Sequence, residues 1–477
     1  VAINNIFHFN LFAMKKYYLS AIAVLILVFI SCKKESLFEN AVDDENISRQ
    51  SKSGYEENSS GHIKIAVISD IHYLDKSLLQ NDGASGAAYQ AMLVKEPYKV
   101  LLEYSPEIFS KVLDELVFEN PDVVLIAGDL TKDGEKISHQ QVSGLLNQLR
   151  MKGMKVYVIP GNNDINNPDA VGYNGDNTFP VANISPSEFL SYYENFGYNS
   201  AISIDPNSFS YVVEPFPGLR ILAIDACRYA PTYSRSGTIK AQTMTWIKEQ
   251  MQLANQENIT VIGMMHHNLV EHISNQPGLL PYTVVEDLSA NPNGLDNNNW
   301  KARADSLAKW GLKVIVTGHT HTSDITSRMQ DGRTLYDVAT GSLITPPSPY
   351  RMMVLKNKDL EISTNHVKSI DASLPDNQTF VEYSNQFLSS NMDAYFRLRL
   401  PLAPFLVDPS LVDYAVPLAR NAYMAHIAGE EKISPIEQRR LDSLGSALSQ
   451  PAFTVWALNT LWTDINTKDI KWHLDMK

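Results

Sequence analysis

The chain reads as an α/β protein of two stacked sheets flanked by helices, followed by a helical C-terminal region. Three observations predict this. Five short apolar runs, at 63–69, 123–127, 155–159, 260–265 and 313–317, have the length and β-branched content of buried strands. Stretches with apolar residues at helical spacing lie between them, as the crossovers of a parallel sheet require. Beyond about residue 370 strand-like runs give way to three helical ones, at 379–388, 410–427 and 435–448.

Each apolar run ends in a short polar motif. In chain order these are Asp70-Ile71-His72, Gly128-Asp129, Gly161-Asn162-Asn163-Asp164, His266-His267 and Gly318-His319-Thr320-His321. Strand ends of an open α/β sheet are where loops converge on a rigid frame, so two Asp, one Asn and four His are delivered to one crevice. Hard or borderline divalent metals about 3.5–4 Å apart take oxygen and imidazole ligands, and a carboxylate with two oxygens bridges them. Asp129 is the natural bridge. Alternation along an emerging strand puts Asp70 and His72 on one side, able to grip one metal together, and His319 and His321 share that spacing. No cysteine lies in any motif, which argues against a structural zinc cage. One Asp-x-His or Gly-Asp alone is usually a turn with a capping Asp, but folding does not require five such motifs at successive strand ends.

The set resembles the calcineurin-like metallophosphoesterase superfamily, whose pattern is Asp-x-His, Gly-Asp, Gly-Asn-His-Asp/Glu, a strand-end His and Gly-His-x-His. The resemblance spans roughly residues 62–365 and implies a four-layer αββα sandwich. Carried over by position, Asp70, His72 and His321 are expected to hold one metal; Asn162, His266 and His319 hold the other, with Asp129 between them. It implies two divalent ions (Mn, Fe, Zn, Ni or Co) and phosphoester hydrolysis by a metal-bridging hydroxide attacking phosphorus in line. The stretch 128–136, GDLTKDGEK, is most similar to the phosphodiesterase branch that includes bacterial cyclic-nucleotide phosphodiesterases. A phosphomonoesterase, or a weakly catalytic surface binding protein that keeps the fold, is the alternative. Lys132 stands where purple acid phosphatases carry a Tyr, so no Fe(III)-tyrosinate centre is expected. One departure is chemical: Asn163 occupies the position of the family's His. An amide donates a hydrogen bond but supplies no proton near neutral pH. Asn162 and Asn163 are expected to orient phosphate, Asp164 is the retained carboxylate neighbour, and His267 is a candidate substitute acid.

Between the motifs, 106–118 is the expected crossover helix, and 82–100 reads as an inserted lid or loop over the metals. Residues 185–196 have the N-cap and proline of an ordinary amphipathic helix, so the aromatics of 169–198 are read as core. A hairpin is expected from 209–214 and 220–224, and a helix over 238–256. The Asn- and Pro-rich loop 268–300 borders the site, with His272 read as an exposed loop histidine without a metal role. A helix at 300–310 precedes the last motif, and 334–339, 351–355 and 360–364 are expected to finish a second sheet. The C-terminal region, 369–477, carries no ligand cluster and is expected to pack on the sandwich or cap the crevice.

A net charge of −13 repels polynucleotides and leaves a small phosphoester as the expected substrate. Met14-Lys15-Lys16 ahead of an apolar stretch, 19–30, and Ser31-Cys32 reads as a signal peptide over 1–31, with 1–13 preceding a better start at Met14. Cys32 resembles a lipobox cysteine, and Phe29, where Leu is usual, resembles the relaxed lipoboxes of Bacteroidota. The expectation is a lipid-anchored protein of the cell envelope, facing periplasm or exterior, with 32–61 as a flexible tether before the enzymatic domain at 62–368. Cys227, the other cysteine, reads as a buried thiol, so no disulfide is expected.

Overall fold

The structure, a computed structural model, describes residues 61–280, 283–285, 300–463 and 469–476. The expected signal peptide, Cys32 and nearly all of the tether lie outside these residues, as does much of the 268–300 loop. No helix among the described residues is long and apolar enough to cross a membrane.

The strand Ile63–Ile68 is apolar at every position but Lys64, which suits a strand covered on both faces. It pairs in parallel with Val123–Ala127, which pairs in parallel with Lys155–Ile159. On its other side the sheet continues antiparallel through Pro349–Lys356 and Asp359–His366 to Lys471–Asp475. A second sheet of seven strands is centred on Leu219–Ile224, Thr260–Met265 and Val314–Thr317, all parallel. The helices Ala241–Gln256 and Trp300–Lys309 bury Ile247, Met251, Ala304 and Leu307 against it. Ser105–Glu119 and Lys136–Met151 belong to the core of the first sheet. The result is the expected pair of sheets between helical layers.

Two expectations on topology are corrected. The runs 351–355 and 360–364 do not finish the second sheet; only Arg333–Ala339 and its hairpin partner Asp324–Gln330 do. After Ala339 the chain crosses back beside Asp70, where the Ser342 hydroxyl donates to the Asp70 carbonyl at 2.7 Å, and the next strand adds to Ile63–Ile68. An apolar strand carries no mark of which sheet it joins. The C-terminal region is also more than helices. Phe380–Arg399 and Pro435–Ala447 start at capping boxes, Thr379 with Glu382 and Ser434 with Glu437, and the first runs well past the expected end at 388. Pro451–Thr460 went unseen because its apolar residues lack a one-sided period, and Lys471–Asp475 closes the first sheet's edge. Leu388, Met392, Phe396 and Val416 belong to the same hydrophobic cluster as the first sheet.

Candidate metal centre

Ligand loops leave the carboxyl ends of parallel strands from both sheets and are tied to one another by backbone. Asp70 N–H donates to the Gly128 carbonyl (3.1 Å), His72 N–H to Asp129 (3.0 Å) and Gly318 N–H to His266 (2.9 Å). The glycines are needed because these loops nearly touch. A Cβ on Gly318 would lie 1.7 Å from the Ser69 hydroxyl, and one on Gly161 would lie 2.1 Å from the Asp129 amide nitrogen. Asp70, His72, Asp129, His319 and His321 all sit at left-handed φ, 51°, 45°, 47°, 69° and 57°. Such backbone costs a non-glycine residue on the order of 1 kcal/mol each and persists only where surrounding structure enforces it. This corrects the strand-alternation argument: the ligands lie past the strand ends, and the turns, not the pleat, aim them.

Two groups of potential ligand atoms result at these loops: Asp70, His72 and His321, and Asp129, His266 and His319; a third, Asp324, Glu431 and Asp469, corrects the expectation that the C-terminal region contributes to no ligand cluster, because its carboxylates meet Asp324 only in the fold. His319 and His321 thus part company, contrary to the shared-spacing argument but as the resemblance implied. Asp129 Oδ2 lies 3.6 Å from His72 Nε2 and 3.4 Å from His266 Nε2, so one carboxylate oxygen faces both groups. Asn162 Oδ1 is 3.1 Å from His266 Nε2, on the second group's side. Burial opposes charge on Asp70 and Asp129, yet the neighbouring imidazoles overcome it and hold both carboxyls well below their usual range. Burial lowers His319 well below an ordinary imidazole, whereas Asp129 lifts His266 to about 9 against its burial.

Hydrogen bonds behind the ligands fix which ring nitrogens face inward. His266 Nδ1 is 2.8 Å from the Ala127 carbonyl, an acceptor only, so Nδ1 keeps its proton and, once the ring gives up its second proton to become a ligand, Nε2 presents the lone pair. The Thr345 hydroxyl gives its hydrogen to the Tyr98 carbonyl and accepts from His321 Nδ1 at 2.9 Å, which again leaves Nε2 bare. That bare Nε2 lies 3.0 Å from His72 Nε2, and His266 Nε2 lies 3.1 Å from His319 Nδ1. Asp70 Oδ1, buried, has no hydrogen-bond partner, while the Ser69 hydroxyl holds its Oδ2 at 2.6 Å. Inward-facing lone pairs around an orphaned carboxylate oxygen fit two divalent cations, with outer hydrogen bonds orienting the imidazoles as metal sites require. Ser69 and Thr345 were missed in the sequence, where no motif sets an outer hydroxyl apart.

The remaining candidates fall differently. Asn163 donates from its backbone to Asp129 Oδ1 (2.8 Å) and from its side chain to Oδ2 (2.9 Å), so it sits against the carboxylate that faces both groups. Asp164 points away from it. Its oxygens accept from the amides of Leu130, Thr131 and Gly161 and from the Thr131 hydroxyl, tying two ligand loops together. Burial and the charge of Asp129 push this carboxyl up to about 7. His267 is fully buried, its ring 4.4 Å from that of His319, with Nε2 2.9 Å from the Arg235 carbonyl, which takes its ring proton; burial and the neighbouring His266 lower it to about 3, so the neutral ring has no second proton to give near pH 7. His272 is corrected outright. It is buried, with Nδ1 2.7 Å from Asp324 and Nε2 3.6 Å from Asp337; burial opposes its charge, but the two carboxylates raise it to about 10. Cys227 is the buried thiol expected, donating to the Pro160 carbonyl at 3.3 Å. The inserted segment 82–100 contains the helix Ala87–Lys95 and places the Tyr98 ring 5.1 Å from that of His321. Aromatics of 169–198 pack inward, Tyr173 edge-on to Tyr89 and Phe189 on Phe209.

A family model described as "Calcineurin-like phosphoesterase" matches residues 63–323, more than half of the chain. Among solved structures the chain is similar to a dimetal phosphatase from Danio rerio at 13% identity and a TM-score of 0.45, covering 64% of this chain and 96% of that one. It is also similar to the protein TT1561 of Thermus thermophilus, at 10% identity and a TM-score of 0.33, covering 64% and 99% respectively. No curated protein matches the chain.

Proposed function

The chain belongs to the calcineurin-like phosphoesterase family, as a dimetal phosphoesterase, and from that premise we propose that it is a phosphodiesterase tethered at the cell envelope. Asp70, His72 and His321 would hold one ion, Asn162, His266 and His319 the other, and Asp129 both. Bound metals supply Lewis acidity at the phosphoryl oxygens and make water nucleophilic near neutral pH. The protein contributes ligand geometry enforced by left-handed turns, imidazoles locked in one tautomer, and the Asn163 amide as a hydrogen-bond donor beside Asp129. In the net reaction a water oxygen bonds to phosphorus, the ester P–O bond breaks, and a proton reaches the departing alkoxide from solvent, since Asn163 has none to give.

The observation that favours a diester is the charge around the loops. Lys99 pairs with Glu96 at 3.1 Å, Lys132 with Asp133 and Glu135, and Arg235 with Glu96 (3.4 Å) and Asp169 (3.2 Å). These cations are already neutralised, so the metals are left to hold a singly charged diester rather than a monoester dianion. The stretch Gly128–Lys136 supports the same reading. Purified protein with Mn²⁺ should turn over bis(p-nitrophenyl) phosphate with a higher kcat/KM than p-nitrophenyl phosphate; the reverse order would sink the diester reading. The envelope location rests on the sequence around Cys32, and Cys32→Ser should shift the protein from the membrane to the soluble fraction. Continued sedimentation of that variant with membranes would remove the lipid anchor from the account.

A further inference from the structure

Between the ligand loops and the C-terminal helices lies a cavity of about 530 Å³. Its floor is His319, Thr320 and His321, so whatever fills it abuts both ligand groups. Its far wall comes from the C-terminal region: Met392, Phe396, Tyr423, Phe453 and Leu458, with Leu461 beside them. Met392, Phe396 and Leu458 are buried in the helix packing, which fixes the wall in place.

The chemistry of this lining selects its occupant. Among the described residues that line the cavity there is no Asp, Glu, Asn or Gln; the C-terminal wall is apolar or aromatic apart from Arg399, His426 and the Tyr395 and Tyr423 hydroxyls, and Arg235, Tyr98, Thr283 and Thr322 add polar groups to the rest of the lining. A nucleobase or sugar held against the C-terminal wall would find no carboxylate or amide side chain among the described lining residues for its donor groups. An aliphatic chain loses nothing by entering and gains the burial of every methylene. At about 530 Å³ the cavity falls within the roughly 300–1,000 Å³ of small-molecule sites, room for one alkyl chain. Arg399 stands at the same wall, exposed and with no carboxylate partner among the described residues, where an anionic group outside the cavity would meet it.

We propose that the substrate is a lipid-like phosphodiester: its phosphate at the ligand loops and one aliphatic chain in the cavity walled by the C-terminal helices. This rests on the phosphodiesterase reading and makes the C-terminal region a specificity element rather than packing alone. The test uses the full chain with Mn²⁺ and non-hydrolysable n-alkylphosphonates from butyl to decyl, with affinity read by calorimetry below their critical micelle concentrations. Affinity is expected to rise at least twofold per methylene, about fourfold where burial is complete. Alkyl p-nitrophenyl phosphates of the same lengths should show the same slope in kcat/KM. Phe453→Glu and, as a second variant, Leu461→Glu should flatten both slopes. Equal affinity for butyl and decyl, or an unchanged slope in both variants, overturns the lipid assignment; hydrolysis of short diesters would then leave the phosphodiesterase reading intact. A steep binding slope with no diester turnover would keep the cavity assignment and sink the phosphodiesterase reading instead.

Discussion

The ligand loops and the helices that face them across the cavity are built on opposite principles. On the loop side, polar groups are buried, five ligand residues hold left-handed backbone, and glycines permit contacts closer than any Cβ allows. On the helix side, capping boxes and a C-terminal Gly429 at φ 68° obey local rules, and apolar side chains face inward. The loops sacrifice backbone comfort to aim a few atoms; the helices, Pro417 inside one of them and Leu406 at φ 52° apart, assemble an apolar surface by ordinary helix packing from residues far apart in sequence. Chemistry therefore resides in the first region and substrate selection in the second.

The largest expected effect breaks the loop side. Asp129→Asn should lower bound metal below two per chain and reduce kcat/KM by at least about 10³, since both ions lose a shared oxygen. Two metals retained in that variant, measured by elemental analysis, would take the bridge away from Asp129.

Next comes the buried ion cluster that anchors the loop after His266. His272 donates charge to Asp324 and Asp337, both buried, so His272→Gln leaves carboxylates uncompensated and should cost about 3–5 kcal/mol. Because the folded imidazole is raised to about 10 from an ordinary 6.5, its stabilisation is complete below about pH 6.5 and fades as pH rises toward 10. The difference in Tm between wild type and variant should therefore be widest near pH 6 and close by pH 10.5. A gap that does not change with pH would mean that the ring is neutral in the fold.

A smaller, sharper effect concerns Asn163. Placing the absent imidazole with Asn163→His should raise turnover of alkyl diesters at least about tenfold, a part of the roughly 10²–10⁴ that a well-placed general acid supplies, and help aryl esters little. Equal gains for both classes would show that residue 163 does not act at the leaving group. Smallest of all is Ser434→Ala on the helix side, which removes a capping box at a cost of about 1 kcal/mol. Tm should fall by only about 1 °C, since the unfolding entropy of so large a unit is high, with short-diester activity unchanged; a loss of that activity would couple the two regions more tightly than their architecture suggests.

The contrast also explains what was legible. Strands such as Val123–Ala127 and Thr260–Met265 were found at their observed bounds because a buried parallel strand is a continuous apolar run closed by a motif. Asp70, His72, Asp129, Asn162, His266, His319 and His321 could be named because metal chemistry restricts residue type. The left-handed backbone of Asp70, His72, Asp129, His319 and His321 could not, since Asp and His visit that conformation more often than most residues but carry no local mark of when they do. His272 was misjudged for a related reason: its partners Asp324 and Asp337 lie 52 and 65 positions onward, and nothing local announces them. The cavity wall was illegible altogether, because Met392, Tyr423 and Phe453 become one surface only after three helices pack.

The central claim is that a dinuclear centre at these loops hydrolyses phosphodiesters. Metal-free protein should be titrated with Mn²⁺ while bound metal and bis(p-nitrophenyl) phosphate hydrolysis are recorded together. Activity should rise with occupancy and level off at two ions per chain, with Asp129→Asn failing on both readouts. A plateau at one ion per chain, or full occupancy without hydrolysis, would contradict the account.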